Sequence, residues 1–410
     1  MDTGSIAWGI TATALVLLMT PGVAFFYGGL VKAKSVISMM MMSFGALGLI
    51  TVLWILYGFN MSAVTSPTDF AGNPFSDFGL TSLSQGESGN TDLLGATYGA
   101  TFAIITIALI SGAIADRAKF GSWMIFAGIF ATIGYFPIAA WVWGGGWIMN
   151  LGTTLFGEDA GIAVIDYAGG TAVHINAGAA ALALALVLGK RVGFQKGIQK
   201  PHNVPLTLLG ASILWFGWFG FNAGAEWLNG LENVGLIVIN TLGATAAAII
   251  GWLVIEKFKD GKATSVGAAS GAVAGLVAIT PACANLTPGW ALLLGVLTGA
   301  ICALAVELKF KLGFDDSLDV VGIHLVGGLV GTLYLGFFAT ETGLFVGGGF
   351  EQLIVQVIAA FAVLAYSFVI AFIIGFAIQK TLGFRVKNED EIAGVDTSVH
   401  GEEGYALEVV

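Results

Sequence analysis

Charge is what this chain has least of. Only 10% of its 410 residues are Asp, Glu, Lys or Arg, against roughly 25% in a soluble domain. That scarcity excludes a fold surrounded by water. No Lys or Arg precedes the first apolar run, which excludes a cleavable secretory signal, so the first helix is expected to stay. Gly-Lys occurs at 189–190 and 261–262 but continues with Arg191 and Ala263, which excludes a phosphate-binding loop. Cysteine is limited to Cys283 and Cys302. Both lie in or near apolar stretches, read as small core residues, and say nothing about redox compartment.

What the chain has is apolar length. Hydrophobic residues make up 57% and glycine contributes 60 positions. Stretches of about 20 apolar residues recur along almost the whole sequence, each long enough to cross a bilayer as a helix. The expected fold is an all-α polytopic membrane protein with eleven transmembrane helices. They run over about 5–31, 36–60, 93–115, 121–144, 163–189, 204–224, 234–255, 264–281, 288–308, 320–340 and 350–381.

The bases test this segmentation. All 16 Lys and Arg follow odd-numbered spans: Lys32 and Lys34; Arg117 and Lys119; Lys190, Arg191, Lys196 and Lys200; Lys257, Lys259 and Lys262; Lys309 and Lys311; Lys380, Arg385 and Lys387. Basic loops stay cytoplasmic. The N-terminus is therefore expected outside and the C-terminus inside. Of the 26 acids, twelve fall on the outer side, Glu87, Asp166 and Glu226 among them, and face no base. Such a surface attracts cations, although acidic outer loops also simply solvate well. The longest outer loop, about 61–92, reads as surface loop without a folded unit.

Two histidines stand inside apolar spans, each eight residues after an aspartate. One run is Asp166-Tyr-Ala-Gly-Gly-Thr-Ala-Val-His174; the other is Asp316-Ser-Leu-Asp319-Val-Val-Gly-Ile-His324. Glycine follows each histidine at four, as Gly178 and Gly328. His174 lies in the fifth span and His324 in the tenth, which run in opposite directions. A five-plus-five inverted repeat follows, with halves of about 5–189 and 204–340 and a final long helix over about 350–381. At about 1.5 Å per residue, a helix would put each histidine roughly 12 Å from its aspartate, near the midplane. One buried histidine is ordinarily a satisfied structural group. Two at repeat-related positions point to a shared polar pathway, because ionisable side chains at membrane depth are costly.

Asp166, at a helix start, reads as a cap and as a favourable anion site at once. The clusters Trp141-Val-Trp143-Gly-Gly-Gly-Trp147 and Trp215-Phe-Gly-Trp218-Phe-Gly-Phe221-Asn222 lie near outer helix ends. They fit an interfacial aromatic belt or a vestibule for a desolvated cation. His202 and His400 have no paired metal ligands nearby and read as surface residues. Haem ligation by His174 and His324 is a rival reading without any other redox feature.

At this point the chain resembles the ammonium transporter family (Amt/Mep/Rh) over essentially its whole length. The residues are Asp166 to Asn176, Phe216-Gly-Trp-Phe-Gly-Phe221-Asn222-Ala-Gly224, Pro201-His-Asn-Val-Pro205, Asp319-Val-Val-Gly-Ile-His324, and the tail's Gly394-Val-Asp396 and His400-Gly-Glu402. The resemblance implies a homotrimer with one pore per subunit, residues 1–382 as the transporter domain and 383–410 as a cytoplasmic regulatory tail. It implies ammonium recruitment by Trp143, Phe102 and Asp166, a gate of Phe102 and Phe221, and a twin-histidine pore of His174 and His324. Phe26, Tyr27 and Trp218 would line the path. Ala225 stands where many bacterial members carry serine, so a hydroxyl is missing from the outer site. The substrate would be ammonium or ammonia, with methylammonium as a larger analogue, and the setting the cell membrane. A PII signal protein is the implied partner of the tail. No cofactor or metal and no enzymatic step is implied. An ammonium sensor, or a channel for another small neutral solute, is the alternative.

Overall fold

The computed structural model describes residues 2–86, 89–194 and 200–405. Glu87 and Lys196, counted among the charges above, lie outside the described residues, as do residues 406–410 of the tail. Among the described residues the chain is all helical, with one isolated bridge, Ala118 to Arg385, in place of any strand.

Among the described residues, ten helices are long and apolar enough to cross a membrane. In chain order they are α1 (Thr3–Leu30), α2 (Ala33–Met61), α3 (Gly89–Ile114), α4 (Phe120–Val142), α5 (Gly170–Leu188), α6 (Val204–Leu228) and α7 (Val234–Asp260); after α8 come α9 (Pro288–Leu312), α10 (Val321–Phe338) and α11 (Glu351–Thr381). The interposed α8 (Ser265–Ile279) has only 15 residues. Its expected continuation to 281 is not made: the helix ends at Ile279, Thr280 caps it in the α region with its N–H still donating to the Leu276 carbonyl, and a turn carries Pro281. Side chains on the bundle's outer faces are apolar, with Ile10, Phe44, Val52, Ile250 and Ile373 exposed. A hydrocarbon solvent satisfies such a surface and water does not.

Close backbone approach holds the bundle together, and glycine permits it. A β-carbon at Gly210 of α6 would sit 2.1 Å from the Phe26 nitrogen of α1, and one at Gly299 of α9 would sit 2.1 Å from the Ala248 carbonyl oxygen of α7. At the centre the arrangement is reciprocal. A β-carbon at Gly178 would lie 2.4 Å from the Leu325 nitrogen, and one at Gly328 would lie 3.0 Å from the Gly170 carbonyl oxygen. The glycine four residues after each histidine is thus where α5 and α10 cross.

Two expectations need correction. Loop 61–92 contains a short helix, Thr81–Gln85, and the Asp77 carboxylate accepts the Ser82 and Leu83 N–H groups at 2.7 and 2.9 Å. These hydrogen bonds hold the Asp77 carboxyl below its usual range. His202 and His400 are half-buried tail contacts and not free surface residues. His202 bonds the Val31 carbonyl at 2.8 Å and the Tyr405 hydroxyl at 2.7 Å, and His400 lies edge-on to Phe120.

The tail is docked. Phe384 is fully buried, and the Asp396 carboxylate accepts the Ile37 and Ser38 N–H groups of α2 at 3.0 and 2.7 Å. Above it, the basic end of the bundle is tied by ions. Arg191 bonds Asp315 through Nε and Nη2, both at 2.9 Å, and Asp116 at 3.0 Å. Fully buried Arg117 reaches the Ala113 and Asp315 carbonyls at 3.1 and 2.6 Å. Burial alone would raise the Asp315 carboxyl, but the hydrogen bonds and charge of Arg191 overcome it and leave the group below its usual value.

Arg191→Ala leaves Asp315 and Asp116 buried without their cation, and is expected to destabilise the protein by about 3–5 kcal/mol. A thermal unfolding midpoint in detergent measures this. The Asp315 contribution has a defined pH sign. Its folded pKa is depressed, so its stabilisation is complete above its unfolded value near 3.8 and is lost as pH falls through the lower folded value. Asp315→Asn should flatten that acid limb; an unchanged limb would assign it to other carboxylates.

Candidate functional site

The site begins with an aspartate outside its helix. Residues 161–166 are non-helical, and α5 starts at Gly170. The Asp166 carboxylate closes this start. One oxygen accepts Gly169 N–H at 2.7 Å and Gly170 N–H at 2.6 Å; the other accepts Thr171 N–H at 2.8 Å, Ala172 N–H at 3.1 Å and the Thr171 hydroxyl. Gly169 allows the chain to wrap the carboxylate, with φ of 120°. The turn that follows, Gly170–Ile175, is a wide π-turn that carries His174.

Asp316 repeats the device. It accepts Val320 N–H at 3.1 Å and Val321 N–H at 2.7 Å, and the π-turn Val321–Leu325 carries His324. Burial lifts the Asp316 carboxyl to about 6, with Lys309 opposing the rise and Asp319 adding to it. Asp319 itself pairs with Lys309 at 2.6 Å. Only about half of each eight-residue Asp-to-His interval is therefore helical, which corrects the continuous-helix estimate of 12 Å. Each histidine stands on the first turn of its helix.

The two histidines meet. Their Nδ1 atoms are 3.2 Å apart, and both rings are buried. Two neutral imidazoles in this contact need one Nδ1 as donor and the other as acceptor, so their tautomers are opposed. The His174 Nε2 is buried without a hydrogen-bond partner among the described residues. His174 stacks on Trp218, with centroids 5.5 Å apart and planes at 15°. Trp218 donates to the Thr280 hydroxyl at 2.7 Å, which fixes the indole. A cavity of about 10 Å³ touches both histidines and is also lined by Phe26, Tyr27, Trp218 and Phe221. It has room for about one water-sized molecule. Haem ligation fails on this geometry, because the imidazoles contact each other where an iron plane would have to pass.

Phe221 separates this slot from a second cavity, which it also lines. Its ring stacks on Phe102 with centroids 4.2 Å apart and planes at 13°. Trp143 stands edge-on to Phe102 at 6.0 Å, and its indole N–H donates to the Asp166 carbonyl oxygen at 2.8 Å. The second cavity, about 350 Å³, is walled by Trp143, Phe102, Phe221, Tyr98, Tyr167 and Ala225. Trp143, Phe102, Phe221 and Ala225 thus come together as the sequence suggests. Asp166 lies behind them, a buried residue whose carboxylate is occupied by five donors. Beyond the histidines, at the basic end of the bundle, a cavity of about 580 Å³ is lined by Lys32, Lys200, Arg191, Lys309, Asp116 and Asp319.

Sequence reasoning missed Tyr167 and Glu226 as a pair. The Tyr167 hydroxyl donates to the Glu226 carboxylate, and Glu226 is fully buried. An acid five residues after Phe221, still inside an apolar run, was the available signal.

Known proteins share this architecture. The profile of the Ammonium Transporter Family matches residues 7–405. An ammonium transporter of Mycobacterium tuberculosis is 50% identical, over 100% of this chain and 91% of its own length. The crystal structure of Candida albicans Mep2 superposes with a TM-score of 0.84 at 30% identity, covering 100% of this chain and 94% of that one. A solved structure described as a sensor Amt protein gives a TM-score of 0.87 at 27% identity, covering 97% of this chain and 98% of that one. The chain is a multi-pass membrane protein that belongs to the ammonium transporter family.

Proposed function

We propose that the chain moves ammonium into the cell across the cell membrane by capturing the cation in the aromatic cavity, removing its proton, and passing ammonia between Phe102 and Phe221 to His174 and His324. The observation that carries this reading is the order of the parts. An aromatic cavity of about 350 Å³, a stacked pair of phenyl rings, and a water-sized slot walled by two imidazoles follow one another. An aromatic face attracts a desolvated cation, and nothing in the slot could neutralise one. Deprotonation removes the charge before the slot, and the imidazole pair supplies hydrogen-bond partners to the neutral molecule. Asp166 acts at one remove: its carboxylate sets the start of α5, its carbonyl holds Trp143, and its charge favours the cation.

The same reading assigns eleven crossings, with the 15-residue α8 completing the count, as two inverted five-helix halves and a last long helix. The N-terminus lies outside and the tail inside. Three subunits form the assembly, each with its own pore. Residues 1–382 form the transporter domain, and the tail from 383 is a regulatory element that a PII signal protein would meet. A sensing role has one observation in its favour, the contact of Asp396 with the start of α2, which links the tail to the bundle.

Proteoliposome currents after an ammonium jump, repeated across pH, test the proposal. His174→Ala or His324→Ala should abolish the ammonium-driven current or admit larger ions such as potassium. Wild-type transport and selectivity in both single variants and the double variant would make the pair structural.

Trp143→Leu keeps apolar volume and loses a cation–π contribution of roughly 0.5–2 kcal/mol. Apparent affinity should fall between about two-fold and thirty-fold. An unchanged half-saturation concentration would remove Trp143 from the site.

Asp166→Ala strips four backbone N–H groups of their acceptor, and each unsatisfied group costs about 1–3 kcal/mol. Asp166→Asn keeps one acceptor oxygen and turns an amide NH2 toward donors, so it preserves half the cap and none of the charge. Thermal midpoints should fall in the order wild type, Asn, Ala. Normal transport by a folded Asn variant would leave Asp166 with the cap alone.

A further inference from the structure

Glu226 is a carboxylate in an improbable place. It is wholly buried near the end of α6, and among the described residues no Lys, Arg or His pairs with it. One oxygen accepts the Tyr167 hydroxyl; the other accepts the Asn233 N–H at 2.8 Å. Both donors are neutral, so among the described residues no fixed cation answers this acid, and a mobile cation bound nearby would.

Tyr167 links that charge to the aromatic cavity. It lines the cavity together with Ala225 and Trp143. Three other hydroxyls on the wall have neutral partners: Tyr98 donates to the Gly220 and Phe221 carbonyls at 3.0 and 3.1 Å, Ser62 donates to the Phe59 carbonyl at 2.8 Å, and Tyr135 bonds the Thr106 side chain. Tyr167 differs in donating to a carboxylate. A phenol that gives its proton into a charge-assisted bond gathers negative charge on its oxygen, and becomes a better acceptor for a second donor. Ala225, on the same wall, offers only a methyl group.

We propose that Tyr167, backed by buried Glu226, supplies the hydrogen-bond acceptor and the negative potential that hold a small N–H-bearing cation, ammonium or methylammonium, in the aromatic cavity of this chain. The proposal deepens the capture site proposed above and rests on it. Tyr167 would touch the cation, and Glu226 would act through Tyr167 as a positioning residue.

Concentration-dependent ammonium currents from full-length protein in proteoliposomes test it, with Trp143→Leu measured alongside. Tyr167→Phe removes one oxygen and keeps the ring. Half-saturation should rise about ten-fold, the scale of one hydrogen bond to a charged group, while maximal current stays within about two-fold, as loss of ground-state binding requires. Glu226→Gln should raise half-saturation in the same direction. Adding Ala225→Ser to Tyr167→Phe should restore most of the lost affinity by returning a hydroxyl to the wall. Raised half-saturation in Trp143→Leu with wild-type values in Tyr167→Phe would overturn the inference and leave the capture site standing. Wild-type values in both would overturn the capture site as well. A Tyr167→Phe defect that the serine fails to rescue, accompanied by a lowered thermal midpoint, would make the pair structural and overturn the inference.

Discussion

The Asp166 carboxylate, holding four backbone N–H groups and one hydroxyl, is the contact on which the rest of the pathway depends. In a membrane interior no water is available to complete the first turn of a helix, so an internal acceptor must do it. Once Asp166 does so, the start of α5 is fixed, and His174 stands on the turn that begins there. The same residue's carbonyl oxygen fixes the Trp143 indole. One residue thus sets both the wall of the aromatic cavity and the first imidazole of the slot. Asp316 performs the parallel task for His324.

Much of this was legible in the sequence. The apolar runs marked the spans, and ten of the eleven coincide with helices long and apolar enough to cross a membrane, because hydrophobic length needs no tertiary information. The doubled Asp-to-His spacing singled out the central pair, and the pair is in contact. What escaped notice follows from physics the pattern does not carry. The expected span began at 163 and Asp166 was legible as a cap, but the non-helical wrap that delays α5 to Gly170 was not, because it is set by hydrogen bonds and not by hydrophobicity. The tail is polar enough to dissolve by itself, and its docking through Phe384, Asp396 and His400 depends on loops distant in sequence. Glu226 was counted as one more outer acid, since composition reports charge and not burial. Trp218 was legible as an aromatic residue beside a helix end, but its stacking on His174 and its bond to Thr280 arise only when α6 meets α5 and the end of α8.

The polar groups of the molecule divide into two kinds. At the basic end the central ion is paired with opposite charges, Arg191 with Asp315 and Asp116, and it holds segments together. Along the proposed path they are held by neutral partners or left open, as with Glu226 and the His174 Nε2. Closed networks rigidify a fold. Open ones have free valence for a passing molecule.

Gly178 and Gly328 carry a mechanical consequence. Because α5 and α10 touch through main-chain atoms at these positions, no layer of side chains lies between them to compress or repack. The width of the histidine slot is then a property of two backbones in register, and not of rotamers that thermal motion samples. Thickening the bilayer or exchanging its lipids would tilt or shift the two helices as one piece. The slot would travel with them like the gap in a fixed gauge, keeping its opening while everything around it moves.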